Sequence, residues 1–382
     1  MNYHIMHKDN IIAEADKNCI TKIYNQALCP ACFYIGQSLE HWLRSRYIDV
    51  HRSHSRQLFK ALRLKNDADL NDIISIGHGI SITDNWWICD TSEITLDYRA
   101  LKEYNEEIAN IAFYGSPNKE YSIKGYTELG TIGSYEKTWR YANGSWYMFK
   151  QGNKAELVSE YFSSCFLKAM MQSVAEYTVM REKTALGFEQ EYIVSKDFTD
   201  NAKYDFEPFF NYFNDNEEYD FIIPRLEQLE INHKCSDLAK HYVEMCFYDA
   251  LLFNVDRHNQ NAGFLRDSIS GKIIGLAPCF DYNLSMAATK TPVFGASGDI
   301  MSFFVKSDRC MDIICSSDIP SRNRIKAALD RASEQTQSMF SNDDIAYSVF
   351  TDYVLNAYDF FHSAYLKYPA HTDALTKDNS IK

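Results

Sequence analysis

The chain has 382 residues, of which 46% are hydrophobic and 14% aromatic, enough to bury a large core in one bilobal unit or two domains. A formal net charge of −13 argues against broad electrostatic binding to nucleic acid or to anionic membrane, so no direct nucleic-acid binding and no membrane attachment are expected. No apolar run is long enough to span a bilayer, the first residues lack a signal-peptide core, and the ten cysteines are scattered. Together these predict reduced thiols and a cytoplasmic location.

Taken in order, residues 1–120 read as a mostly helical N-terminal region. Apolar residues recur at helical spacing over 38–47 and 53–62, and a shorter helix is expected over 67–74. Cys29-Pro-Ala-Cys32 lacks the partner pair that a zinc site needs, because Cys19 is the only other nearby thiol. These read as ordinary half-buried cysteines, and His51 and His54 as surface residues of a helix. Trp86 and Trp87 beside Ile88 look like core or interface anchors.

The stretch from Thr127 to Trp139 is the first with chemical content. Gly130 and Gly133 permit backbone conformations that bring amide N–H groups close to a phosphate, with Ser134 and Lys137 following. Trp146–Lys150 then reads as a strand ending in a lysine. A plain hairpin with a tight glycine turn explains the same residues. Residues 155–170 form a helical pattern in which Leu157, Tyr161, Cys165 and Phe166 share a face. Glu160 lies on it and suits the role of carboxylate partner to Lys150. Glu156 is its rival, and an acid in a first turn also follows from the helix dipole alone.

Further on, Glu191–Val194 reads as a strand, Phe206–Phe213 as a short helix after Pro208, and Tyr219–Glu227 as a strand running into a hinge. Ser236–Phe253 is an amphipathic helix whose inner face includes Leu238, Tyr242, Met245, Cys246 and Ala250. It feeds Asn254-Val-Asp-Arg-His-Asn-Gln-Asn261, where Asp256 and Asn261 keep the Asp-to-Asn interval of a protein-kinase catalytic loop. Short apolar runs at 262–265 and 272–276 flank a turn-rich 266–271 and predict a hairpin that folds Asp281 back towards Asn261. A carboxylate at Asp256 suits orienting a hydroxyl and taking its proton. An amide oxygen at Asn261 and a carboxylate at Asp281 suit Mg2+, a hard ion that takes few protein oxygens. Arg257 and His258 are placed to brace the loop or the phosphates. Beyond Asp281, residues 284–302 read as a substrate-facing loop. Helices are expected over 320–330 and 343–365, ahead of a polar tail from Pro369.

Asn254–Asn261 and Leu276-Ala-Pro-Cys-Phe-Asp281 resemble the catalytic loop and metal-binding segment of HipA-like serine/threonine kinases. Ser159-Glu160-Tyr161 opening a helix after Lys150, and the segment Ile80–Cys89, are similar to that family too. The resemblance covers roughly residues 125 to 340. It implies an α+β, bilobal, protein-kinase-like fold, with a β-containing N-lobe and hinge over 121–228 and an α-rich C-lobe over 229–382. It further implies ATP and Mg2+ as cofactors, Asp256 as catalytic base, and Asn261 and Asp281 as metal ligands. The nucleotide-binding set would be Gly133, Ser134, Lys137, Lys150, Glu160 and His258. The acceptor would be a Ser or Thr hydroxyl of a protein substrate, and the family's toxin–antitoxin members leave room for an antitoxin partner. Two departures stand out: residues 1–120 do not look like the usual N-terminal subdomain, and Tyr135 stands where many relatives have Gln. Thr131 and Ser134 are nearest to the family's regulatory phosphoserine. Phosphatidylinositol 3/4-kinases carry a similar Asp-Arg-His-x-x-Asn, so a lipid or small-molecule kinase is the alternative. A catalytically inactive binding module is the other.

Overall fold

A computed structural model describes residues 2–43, 46, 54–61, 76–92, 97–115, 136–183, 189–285, 300–340 and 347–368. The chain divides into two compact units. One comprises Met1–Gly152, Thr178–Tyr212 and Phe264–Ile274; the other comprises Asn153–Tyr177, Phe213–Gly263 and Gly275–Lys382. Sheets dominate the first and helices the second, a mixed α/β architecture broadly consistent with a bilobal kinase-like fold.

In the sheet-bearing unit, β1 (Tyr3–His7), β2 (Asn10–Ala15), β3 (Ile20–Ile23) and β4 (Trp86–Asp90) form an antiparallel sheet in the order β3-β2-β1-β4. The sequence pointed only to helices in this region. The helices described there are short, α1 (Leu39–Leu43), α2 (Ser55–Ala61), α3 (Tyr98–Leu101) and α4 (Glu106–Tyr114). The strand signal was faint because the strands are short and β1 is buried almost throughout, so polar and apolar residues do not alternate cleanly. Ile5, Ile12, Trp42, Trp86 and Ile88 pack into one cluster, and Trp87 is buried in another. Cys29 and Cys32 are buried free thiols. The helix expected over 67–74 lies outside the described residues.

The second sheet runs β5 (Lys137–Ala142), β6 (Ser145–Lys150), β8 (Glu189–Lys196), β7 (Tyr177–Lys183). Asn143 and Gly144 close the β5–β6 hairpin with φ of 51° and 78°, the two positive values that a primed two-residue turn requires. That turn sets the register, and the register pairs Lys137 with Lys150. The third sheet places β9 (Tyr204–Pro208) beside the hairpin of β10 (Gly263–Asp267) and β11 (Ile273–Leu276), as the apolar runs predicted. At its turn, Gly271 has φ of 70°, and a Cβ there would fall 1.8 Å from the carbonyl oxygen of Ala27, so only glycine fits.

The helical unit holds α5 (Lys154–Ala169), α7 (Tyr219–His233), α8 (Leu238–Leu252), α9 (Ile300–Phe304), α10 (Asp308–Cys315), α11 (Arg322–Met339) and α12 (Tyr347–Tyr365); α6 (Phe210–Phe213) straddles the boundary between the units. α8 is buried around nearly its whole circumference from Tyr242 onwards and is packed by α7, α9, α10 and α12. The expected strand at 219–227 is instead the start of α7. Ile222, Ile223 and Leu226 share one buried face at helical spacing, and Pro224 lies inside the helix at the loss of one backbone bond. Its backbone groups are therefore largely spent inside the helix rather than offered as a hinge.

Candidate functional site

The site begins with how α8 ends. Phe253 adopts a left-handed conformation (φ 50°, ψ 48°) and its N–H returns to the Asp249 carbonyl, which stops the helix and releases the loop. Asn254 then donates through Nδ2 to Asp249 Oδ1 at 3.0 Å and accepts the Asp256 N–H at 3.3 Å. Asp256 is thereby held in a turn with its side chain partly exposed, while its carbonyl accepts Asn261 Nδ2 at 2.9 Å. This bond closes the loop and commits the donor end of the Asn261 amide, so its oxygen is the end suited to a cation. His258 is partly exposed; its Nδ1 accepts the Gln260 N–H at 3.2 Å and its carbonyl the Asn261 N–H at 2.8 Å. Asn259 points the other way, donating to the carbonyls of Asn214 and Asn216 at 2.7 and 2.9 Å.

Arg257 ties this loop to the Asp281 segment. Its Nε lies 2.9 Å from Asp249 Oδ2 and Nη2 3.2 Å from Oδ1, a bidentate pair. Its Nη1 donates to the carbonyl oxygens of Asn261 and Phe280, the latter at 3.0 Å, and the guanidinium lies 4.8 Å over the Tyr282 ring. Burial pulls the Arg257 pKa down, and Asp249 opposite it more than offsets that, leaving it raised.

Glu160 is 1% exposed on α5, and its Oε1 accepts the Tyr177 hydroxyl at 2.6 Å and the Tyr282 N–H at 3.1 Å. Burial raises the Tyr177 pKa well above its usual value, and the Glu160 carboxylate raises it further, so the phenol stays protonated as a donor. Asp281, between Phe280 and Tyr282, has φ of 61°, a left-handed conformation unusual outside glycine and asparagine. Its flanks are thus fixed by Arg257 on one side and Glu160 on the other. Glu156, the rival to Glu160, forms a capping box with Asn153 at the start of α5, its Oε2 accepting the Asn153 N–H at 3.1 Å.

The helical unit therefore gathers Glu160, Asp256, Asn261 and the backbone around Asp281 into one hydrogen-bonded constellation. Lys137 and Lys150 lie in the sheet-bearing unit as a cross-strand pair, two positive charges on one face of β5–β6. Gly133 and Ser134, with Thr131 and Tyr135, lie outside the described residues. Among the described residues no group of three or more His, Cys, Asp or Glu side chains forms a metal cage.

Sequence reading passed over Asp249, Asn254 and Tyr177. Asp249 left a signal: a carboxylate in the apolar last turns of a helix, 3% exposed, must find a partner, and Arg257 follows within the loop. Tyr177 left none, because its role depends on a main-chain return. Val174 bridges Cys279 in parallel, and the Ala175 N–H reaches the Cys279 carbonyl at 2.9 Å.

No family model matches this chain, and no curated protein matches it in sequence. Among solved structures, a chain of the Shewanella oneidensis MR-1 HipA–HipB toxin–antitoxin complex with its operator DNA is 14% identical. The match covers 97% of this chain and 98% of that one, with a TM-score of 0.52. The fold is HipA-like. The Helicobacter pylori proinflammatory kinase CtkA is 18% identical over 63% of this chain and 95% of its own, with a TM-score of 0.45. The HipA likeness in fold covers 97% of the chain and so reaches beyond residues 125–340, the main span of the sequence resemblance. No described helix is long and apolar enough to cross a membrane.

Proposed function

We propose that this protein is an ATP- and Mg2+-dependent kinase of the HipA-like kind, transferring the γ-phosphoryl group to a Ser or Thr hydroxyl of a protein. The observation that carries the reading is the joining of the Asn261 and Phe280 carbonyls by Arg257, which holds the backbone of Asn261 beside that of the residue before Asp281. The donor set is all oxygen, which fits a hard divalent ion that keeps waters and phosphates as its remaining ligands. Bound there, Mg2+ would supply charge neutralisation for the transferred phosphoryl group.

The protein's own residues supply the rest of the reading. Asp256 orients the acceptor hydroxyl and takes its proton. Asn254 holds the Asp256 backbone and Asn261 fastens its carbonyl, so the carboxylate is presented from a fixed turn. Lys150 and Lys137, with Gly133 and Ser134, hold phosphates. Glu160 fixes the residue that follows Asp281, and His258 braces the loop. A protein substrate, and an antitoxin partner by analogy with the HipA–HipB complex, belong to this reading; the HipA-like fold supports them by analogy alone.

The test is transfer of labelled γ-phosphate from ATP to proteins of a cell extract and, separately, to phosphoinositide vesicles. Mg2+-dependent labelling of Ser or Thr that disappears in Asp256→Asn is the expected result. Labelling of vesicles alone would replace the acceptor class with a lipid, and no labelling of either would reduce the protein to an inactive binding module.

A further inference from the structure

We propose that Arg257, oriented by Asp249, is a positioning residue that sets the spacing between the two segments carrying the metal donors. The inference rests on the kinase reading above and adds to it a residue that touches neither substrate nor phosphate.

Asp249 is buried on the apolar helix α8, and a carboxylate there must be paired and hydrogen-bonded. Arg257 and Asn254 satisfy it together, Arg257 through two nitrogens and Asn254 through a third donor. That leaves Nη1 as the remaining corner of the guanidinium. Both its contacts are main-chain carbonyls, those of Asn261 and Phe280. One belongs to a proposed metal donor itself, and the other to the residue immediately before Asp281.

The guanidinium is planar and rigid, so the angle between its Asp249-facing edge and Nη1 is fixed by covalent geometry. The guanidinium also lies 4.8 Å over the Tyr282 ring, which adds a cation–π contact to the same plate. Two backbone segments that share one nitrogen of a rigid plate cannot drift apart without losing a charge-assisted hydrogen bond. On the far side of Asp281, the Tyr282 N–H is held by Glu160, itself held by Tyr177. Asp281 is thus pinned at both neighbours while its own backbone sits in a left-handed conformation. Such a conformation persists where the surroundings over-determine it, and Arg257 is the part of those surroundings that also grips the catalytic loop. Lysine cannot replace it, because one ammonium cannot meet both carboxylate oxygens and both carbonyls.

The experiment is a thermal melt at fixed ATP with increasing Mg2+, reading the Mg2+ concentration that gives half of the maximal stabilisation. Wild type, Arg257→Lys and Asp249→Asn are compared, with the melt of each free protein recorded alongside. Arg266→Lys, a buried arginine of the sheet-bearing unit, serves as the control. The expected result is that both site variants fold and need about 10- to 100-fold more Mg2+, the usual effect of losing a residue that orients metal ligands. Arg266→Lys melts lower yet keeps the wild-type Mg2+ midpoint. Folded variants with a wild-type Mg2+ midpoint would overturn the inference, and so would loss of folding in both, which would make Arg257 a core residue only. A wild type that gains nothing from Mg-ATP would overturn the kinase reading itself, and it is told apart because the failure then precedes any substitution.

Discussion

Arg257 and Arg266 stand close in sequence and are both paired with a buried carboxylate, yet they belong to different units and fasten different things. Arg266 donates to Glu207 Oε2, to the carbonyls of Cys29 and Gly271 at 2.9 and 3.0 Å, and to that of Ala27 at 2.6 Å. Glu207 in turn accepts the Ala31 N–H at 2.7 Å and the Asn211 amide and Tyr212 hydroxyl, each at 2.9 Å. Every partner is a scaffold element: a strand, a hairpin turn, the short helix α6 and the 27–31 segment. Arg257 has the same chemistry, but its carbonyls flank the residues proposed to hold metal. The lesson is that a buried arginine–carboxylate pair says little by itself; the owners of the remaining carbonyls decide between architecture and site.

Replacing Arg266 with Met should break this parallel most visibly. It strands the fully buried Glu207, so a loss of about 3–5 kcal/mol in denaturant unfolding is expected. Any Mg-ATP stabilisation that survives folding should be unchanged. Asp256→Asn goes the other way, in the helical unit. Phosphoryl transfer should fall about 10²- to 10⁴-fold while the melt of the free protein and its Mg-ATP response stay close to wild type. Asn153→Ala removes the capping box of α5, the helix that carries Glu160, and should cost about 1 kcal/mol in the same unfolding assay.

A gentler comparison uses one thiol from each unit. Burial pushes Cys29 up to about 12 and Cys279 up to about 11, with Arg266 and Arg257 respectively opposing the rise. A thiol whose folded pKa exceeds its unfolded value near 9 stabilises the fold fully below that value, and the contribution is lost as pH rises through 11 to 12. Denaturation midpoints should therefore fall between about pH 8 and about pH 10.5, and Cys29→Ala and Cys279→Ala should each flatten the slope. Lys102 works in the opposite sense, because burial pulls it down to about 8. Its contribution grows as pH rises from there towards its ordinary value.

The legible parts of the sequence were those where local spacing sets structure. The hairpin of Gly263–Asp267 and Ile273–Leu276 was marked by two apolar runs around a turn, and α8 by its periodicity. The HipA-like fold was legible through the loop sequence around Asp256. The N-terminal sheet was not, since its strands pair across long separations: Trp86 with His7 and Asp90 with Tyr3. Helix α7 was misread because Pro224 and the isoleucines argued for a strand, whereas packing against α8 decided for a helix. Of the site, sequence supplied the residue types at Asp256, Asn261, Asp281 and Glu160. It did not supply the connections, because Tyr177 and the Phe280 carbonyl act through tertiary geometry that no spacing encodes.

The most direct measurement is the melting temperature with and without millimolar Mg-ATP, for wild type and Asp281→Ala. Wild type should gain the equivalent of about 2.7 kcal/mol with ligand at about 100 times its dissociation constant. Asp281→Ala, strained as alanine at a positive φ, should melt somewhat lower in the free state and gain little from Mg-ATP. An equal gain in both proteins would remove Asp281 from the metal site, and no gain in wild type would contradict a nucleotide-dependent kinase altogether.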